Sequence, residues 1–449
     1  MDRKIRFPQA LRNFVTGSFF SLLSGVFLYI SRIVFLRYMV VDYVGYTSLF
    51  EHIFLLVSVL DSGVATSMTS FMARSLRSDN WAKKNGVLKL ARKVYLFVSF
   101  SMMVILFLIS FFYMRGKSLF LPSMFYFFGQ CAQYYLGWRV LALNASGRND
   151  IVSAFVHMGR AVGSLLEIVV ITLTGSFTLY ILASMVSVVI SYILLFYKAG
   201  SVCKWIDEKS GIIDKKEERY LFSIMPSMAL HRFGSVFFRS YEIIAVNLLF
   251  GFSIGGRYSN LLLVSSAFMT IFWIFQSSVT GIVGEHYAVE GRKDTFFLFK
   301  KMMFFNLLVS FCLATVFLLL GKTIGEYSFG KENIIEGYLP LFLALEMFLI
   351  SSRTTLSIVR DAMGDYHRDW WKPIAEGALV ILLTFVLSKR FSFYSIPLSI
   401  SITLLSLSLP VDNYIVSRRL RGKVDLSFVL FFIFVLILSA LLLIMGLGL

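Results

Sequence analysis

The chain has 449 residues, 57% of them hydrophobic and only 15% charged, against about 25% charged in a typical soluble domain. Its mean hydropathy of +0.77 and its 47 phenylalanines exclude a soluble globular protein and predict an all-α polytopic membrane protein. The net charge of +17 is spread over short loops between apolar segments, which argues against a nucleic-acid surface.

The first twelve residues are basic, and the apolar segment after them, Asn13–Met39, is too long for the core of a cleavable signal and lacks a small-residue cleavage motif. It reads as the first membrane helix. Since about twenty apolar residues cross a bilayer, about thirteen spans are predicted. They fall at 13–38, 43–72, 94–114, 119–143, 151–174, 177–197, 221–250, 257–283, 299–320, 338–359, 373–388, 394–415 and 425–448. Lys198–Arg219 is polar enough to be a linker, with a short surface helix built on Trp205, Ile206, Ile212 and Ile213. The predicted organisation is a six-helix lobe over 1–200, a cytoplasmic linker over 201–220, a second six-helix lobe over 221–416 and an extra transmembrane helix within 417–449. No soluble domain is predicted on either face.

Loop charge sets the orientation. The loops on the side of the N-terminus carry 29 Lys and Arg, among them Lys83, Lys89, Arg92, Lys93, Arg148 and Lys372, and the alternate loops carry 8. The positive-inside rule therefore places the N-terminus in the cytoplasm and, after thirteen spans, the C-terminus outside.

The halves echo one another. Gly45-Tyr46 opens span two and Gly256-Arg257-Tyr258 opens span eight, each after a long helix and a tight outside turn, at an offset of about 212 residues. Six spans per half preserve orientation, so the repeats are expected to be parallel, related by a pseudo-two-fold axis along the membrane normal. Transporters built on such repeats bind substrate at the midplane, at the interface of the repeats.

Six arginines fall inside spans: Arg32, Arg139, Arg160, Arg232, Arg239 and Arg353. A charge at mid-bilayer costs about 2.5–3.5 kcal/mol on insertion scales, so such residues face other helices or a water-filled path. A cavity lined by guanidinium groups suits a substrate bearing phosphate or carboxylate, because the planar fork pairs bidentately with those oxyanions.

The acidic residues in spans are read as ion-coupling or charge-pairing groups: Asp61, Glu51, Glu242, Glu346 and Glu167. Glu242 follows Arg239 by three residues, within reach of an intrahelical pair. Glu346 and Arg353 are seven apart, as are Arg160 and Glu167, the latter flanked by Gly159 and Gly163 in a pattern that lets helices approach closely. Arg139 lies among Tyr134, Tyr135 and Trp138, and either stacks on aromatic rings or snorkels to the interface. Asp61 is a charge partner for an arginine or a site for a proton or sodium ion. Three scattered cysteines and five histidines lack metal-ligand spacing, so no metal or cofactor is expected. Hydrolase, phosphate-loop and zinc-protease motifs are absent, and the chain reads as a non-enzyme.

Three stretches carry a family resemblance. Arg32–Arg74 joins an arginine-bearing first helix to a Gly-Tyr turn and an Asp/Gly-containing end of span two. Arg239–Val264 opens the second half, and Arg353–Leu405 holds Arg, then Asp-Ala-x-Gly, then an acidic residue before span eleven. In this combination the chain resembles the polysaccharide-transport family, the O-antigen and capsule repeat-unit flippases, of the multidrug/oligosaccharidyl-lipid/polysaccharide exporter superfamily. It departs from that family at Tyr241-Glu242, where many members place the acidic residue first, and at the turn after span eleven.

The resemblance implies translocation of a polyprenyl-diphosphate oligosaccharide repeat unit across the bacterial cytoplasmic membrane by alternating access, for surface polysaccharide biosynthesis. It also implies contact with membrane lipid and with other polysaccharide-assembly proteins, and no nucleic-acid partner. With no ATP-binding motif, the drive would come from Na+ or H+ coupling, membrane potential or consumption of the product. Two other readings stand beside it. An ion-coupled multidrug or cation antiporter of the same superfamily is expected to favour acidic over basic cavity residues. A membrane polysaccharide polymerase or ligase is expected to carry a large outside loop, whereas the longest here, Gly321–Gly337, is short.

Overall fold

The computed structural model describes residues 3–76, 81–115, 118–206, 211, 213–363, 371–421 and 426–447. Among these residues the chain is helical throughout, with no strand. In chain order the helices are α1 (Arg3–Tyr38), α2 (Val41–Val57), α3 (Val59–Ser75), α4 (Trp81–Met114), α5 (Phe120–Ala145), α6 (Asn149–Thr174) and α7 (Phe177–Val202). They continue with α8 (Lys215–Phe250), α9 (Phe252–Phe329), α10 (Leu339–Met363), α11 (Lys372–Phe391), α12 (Ser395–Thr403), α13 (Leu409–Arg421) and α14 (Leu426–Leu447). Among the described residues, nine stretches are long and apolar enough to cross a membrane by length and composition.

Each predicted span falls on a helix, with three differences of detail. Span two is broken at Ser58, whose hydroxyl donates to the Leu55 carbonyl at 2.7 Å and so competes with the helical ladder just before Asp61. Spans eight and nine lie in one continuous helical element, α9. A straight helix would hold Gln276 and Asn306 about 45 Å apart, yet the Gln276 amide donates to the Asn306 side chain, so α9 doubles back as a hairpin. Span twelve is α12 and α13 joined by a π turn at Leu404–Ser408.

The contacts divide the chain into two compact units. One comprises Met1–Tyr43 and Phe50–Val236, the other Val44–Leu49 and Phe237–Leu449. The division falls within α8 rather than at the linker predicted for 201–220, so Leu221–Val236 groups with the first half. Of that linker, 207–210 and 212 lie outside the described residues, and with them the Ile212 of the predicted surface helix.

The two Gly-Tyr stretches meet inside the second unit. Ser48 Oγ and Ser259 Oγ are 2.6 Å apart, and the Tyr46 and Phe252 rings lie 4.3 Å apart between centroids. A Cβ at Gly45 would stand 2.3 Å from the Phe252 carbonyl oxygen, so only glycine permits this approach. In the first unit, Gly159 and Gly163 do what their spacing predicts. Added Cβ atoms there would overlap the Ser191 and Ser187 hydroxyls, which is how α6 settles against α7. Helix α6 ends at Gly175, whose φ of 59° is the left-handed conformation glycine adopts without penalty.

Candidate functional site

Among the described residues, three groups of charged side chains stand out within the apolar packing, one in the first unit and two in the second.

The first is built on α1, α2, α6 and α7. Glu167 is buried, and its Oε2 accepts from Ser31 Oγ at 3.1 Å. Ser184 and Tyr180 also hydrogen-bond to this carboxylate, and Ser31 Oγ is 3.3 Å from the Tyr180 hydroxyl. A buried carboxylate needs such donors, because each lone pair left bare carries a desolvation cost. Arg32 lies in the electrostatic field of Glu51, Glu167 and Tyr180, but no ion pair joins it to either carboxylate among the described residues, and its Nη1 is buried with no hydrogen-bond partner. Three hydroxyls thus hold Glu167, and the guanidinium next to it keeps hydrogen-bonding capacity in hand. Arg160 is exposed and Tyr126 is within its field, together with Glu51 and Glu167. Ser24 and His157, 3.3 Å apart, complete the polar lining contributed by α1 and α6.

The second group joins α10, α11 and α13. Arg353 Nε is 2.6 Å from Asp412 Oδ2, and Nη2 is 3.4 Å from Glu376 Oε1. Lys372 pairs with Asp412 and lies 3.5 Å from Glu376, one helical turn along α11. The Lys372, Glu376 and Asp412 side chains are at most 2% exposed. Ser408, at the end of the π turn, donates to Glu376 at 2.5 Å, and Asp412 follows it by one turn. Among the described residues, two cations face two anions here. The carboxylates beside Arg353 are thus Asp412 and Glu376, on α13 and α11, whereas the sequence spacing suggested Glu346. Lys372, placed by the sequence among cytoplasmic loop charges, is instead one of the most buried side chains among the described residues.

The third group is acidic. Glu242 on α8 accepts from Tyr258 of α9 at 2.5 Å, and Glu346 of α10 interacts electrostatically with both. All three are buried, and Glu346 Oε2 has no hydrogen-bond partner. Arg239 does not form the direct pair with Glu242 that their spacing suggests. Its side chain is exposed while Glu242 turns inward, leaving a longer-range interaction between them.

The remaining candidates separate from these groups. The Arg139 guanidinium lies 4.0 Å from the Phe196 ring centroid and 5.2 Å from that of Trp138, so it stacks on aromatic rings as one of its two readings holds. Asp61 is buried within the field of Tyr95 and Tyr134. The side chains of His231 and Arg232 lie outside the described residues, as do those of Asp361 to Gly364 in the Asp-Ala-x-Gly stretch. Among the described residues no cluster of three or more His, Cys, Asp or Glu is arranged to hold a metal.

Lys372, Glu376, Asp412 and Tyr258 escaped the sequence reading. Lys372 and Glu376 did leave a signal, an oppositely charged i, i+4 pair at the start of an apolar run. Their tie to Asp412, 40 residues after Lys372, left none.

No protein-family model matches the sequence, and no curated protein matches it. Solved structures do resemble the fold. An inward-facing multidrug resistance MATE family transporter of the MOP superfamily superposes with a TM-score of 0.65 at 11% identity, over 93% of this chain and 95% of that one. A Vibrio cholerae MATE transporter, VcmN, superposes with a TM-score of 0.65 at 12% identity, over 94% and 98%. A MOP superfamily transporter from Pyrococcus furiosus, described as having a binding pocket of reversed polarity that suggests a different function, gives a TM-score of 0.63 at 12% identity over 96% of each chain. The chain has the fold of these multi-pass membrane transporters, two lobes and twelve helices, with α14 beyond the twelve.

Proposed function

We propose that this protein moves a lipid-linked anionic glycan, a polyprenyl-diphosphate oligosaccharide, from the inner to the outer leaflet of a bacterial cytoplasmic membrane. The observation that carries the reading is Arg32. It is a guanidinium in a membrane span with a buried, unpartnered Nη1, beside a carboxylate already satisfied by three hydroxyls. A phosphate oxygen is the partner that this geometry lacks, and a charge-assisted hydrogen bond to it is about twice as strong as a neutral one. The glycan headgroup would pass through the polar interior while the polyprenyl tail stays in lipid, and alternating access would carry it across. Arg160 would supply a second cation to the same headgroup.

Energy coupling is assigned to Glu242 and Glu346. Two buried carboxylates around one tyrosine repel each other, and a proton or sodium ion between them offsets that repulsion. This acidic group is also what favours the second reading, an ion-coupled cation antiporter, which the named activity of the multidrug transporters sharing the fold supports. A fold-mate whose pocket polarity is reversed indicates that this fold accommodates either sign.

The test is export. In cells that depend on this chain for surface glycan, Arg32→Ala should abolish export at unchanged protein level, and Arg32→Lys should restore part of it, since charge returns without the fork. Normal export by Arg32→Ala would remove the assignment. Reporters in Lys198–Arg219 and in Gly321–Gly337 should read cytoplasmic and extracytoplasmic respectively; both on one side would remove the two-lobe topology.

A further inference from the structure

One face of α4 changes character along its length. Lys89, Arg92 and Lys93 are exposed near its start, and Phe97, Phe100, Val104, Leu108 and Phe112 follow on the same face, spaced three or four residues apart. Phe97, Phe100 and Phe112 are 71%, 69% and 79% exposed, as rings that lie against acyl chains would be. Where the basic and apolar stretches meet, α4 and α5 enclose a cavity of about 210 Å³, lined by Asn85, Lys89, Arg92, Lys93, Leu96 and Trp138. A single water needs only about 10–15 Å³ by that measure, so the space admits a headgroup.

The cavity is held open by its walls. The Arg92 guanidinium lies 5.4 Å from the Trp138 ring centroid, which fixes the cation over an indole face. Asn85 is anchored by donating to the Trp205 carbonyl at 3.2 Å. No carboxylate pairs with Lys89 or Lys93 among the described residues. Three cations stand at the head of the groove, with none of the transport groups described above among its walls.

We infer that this groove is a binding site for an anionic phospholipid of the cytoplasmic leaflet, its phosphate among Lys89, Arg92 and Lys93 and its acyl chains along Phe97, Phe100 and Phe112. Charge complementarity selects the occupant. The loop charges place this end of α4 at the cytoplasmic face, where anionic lipids reside, and basic pockets between membrane helices on that side bind their headgroups. A free anion would use the cations but leave the aromatic track bare, and a zwitterionic lipid would use the track but not the cations. The inference is independent of whether the transported molecule is a glycan lipid or a drug.

The experiment uses the full chain purified in neutral detergent, with phosphatidylglycerol and phosphatidylcholine offered in equal amounts and retained lipid counted by native mass spectrometry. Phosphatidylglycerol should be retained at least about tenfold over phosphatidylcholine, and the preference should fall about fivefold for each cation replaced by glutamine. The Lys89→Gln/Arg92→Gln/Lys93→Gln variant should lose it, while Lys215→Gln/Lys216→Gln, which removes exposed charge elsewhere, should keep it. A phosphatidylglycerol with a photoreactive acyl chain should label the 97–112 stretch of the unaltered protein, a readout that needs no variant to fold. Equal retention of the two lipids, labelling elsewhere, or displacement of phosphatidylglycerol by millimolar inorganic phosphate would overturn the inference.

Discussion

The two arginine-centred groups differ in what holds the arginine. Arg353 sits against two carboxylates, with Asp412 at 2.6 Å and Glu376 at 3.4 Å, and Lys372 pairs with the same two. Arg32 has carboxylates within its field but none in an ion pair, because Ser31, Ser184 and Tyr180 have taken up Glu167. Both residues read alike in sequence, as a cation inside an apolar helix. The difference comes from the neighbours. A cation already held by two carboxylates reads as a structural element, whereas one with a donor left over is available to a ligand.

This contrast predicts a gradient of stability effects, measured by denaturant unfolding of purified variants. The largest should follow Asp412→Ala. Removing one member of a buried ion network leaves Lys372 and Arg353 short of an anion, at a cost of about 3–5 kcal/mol. Lys372→Met alone should also destabilise, and combining it with Asp412→Leu should recover part of the loss, a coupling that a double-mutant cycle reads directly. Additive losses would mean that these side chains do not form one network.

Next should come Tyr258→Phe, which deletes the hydroxyl held by Glu242 at 2.5 Å and a hydrogen bond to a charged group worth about 1.5–3 kcal/mol. Under the coupling proposal, Glu346→Gln should leave binding of substrate intact and remove the dependence of transport on an ion gradient in proteoliposomes. An unaltered gradient dependence in both Glu346→Gln and Glu242→Gln would move coupling elsewhere. Ser31→Ala should cost about 1 kcal/mol, since Ser184 and Tyr180 remain on Glu167. Arg32→Ala should cost less than about 1 kcal/mol, because no counter-ion is orphaned, and yet transport should be lost. A stability loss at Arg32 as large as at Asp412 would erase the distinction between the two groups.

The fold was legible because membrane insertion writes it in composition. The predicted spans 373–388 and 425–448 lie within two or three residues of α11 and α14, since about twenty apolar residues admit few alternatives. Breaks within spans were hidden. The interruption at Ser58 coincides with one hydroxyl bonding back to the helix, and the π turn at Leu404–Ser408 ends on a serine that donates to Glu376; neither feature alters apolar length. For the sites, counting charges located Arg32, Glu167, Glu242, Glu346 and Arg353, because any charge in such a helix stands out. Their partners were not legible. Lys372 lies at a span boundary, where the positive-inside rule assigns it to a loop, and Tyr258 looked like part of a turn until the packing of α8 on α9 placed it against Glu242.

The most direct test asks what stabilises the purified protein. A ligand bound only by the folded form adds about 2.7 kcal/mol at a hundredfold excess over its dissociation constant. A polyprenyl-diphosphate sugar should therefore raise the unfolding midpoint of the unaltered chain. The unphosphorylated polyprenol should do little, and Arg32→Ala should lose the diphosphate-dependent shift while keeping its unliganded midpoint. Stabilisation by lipophilic drug cations, with none from the diphosphate lipid, would contradict the account and favour the antiporter.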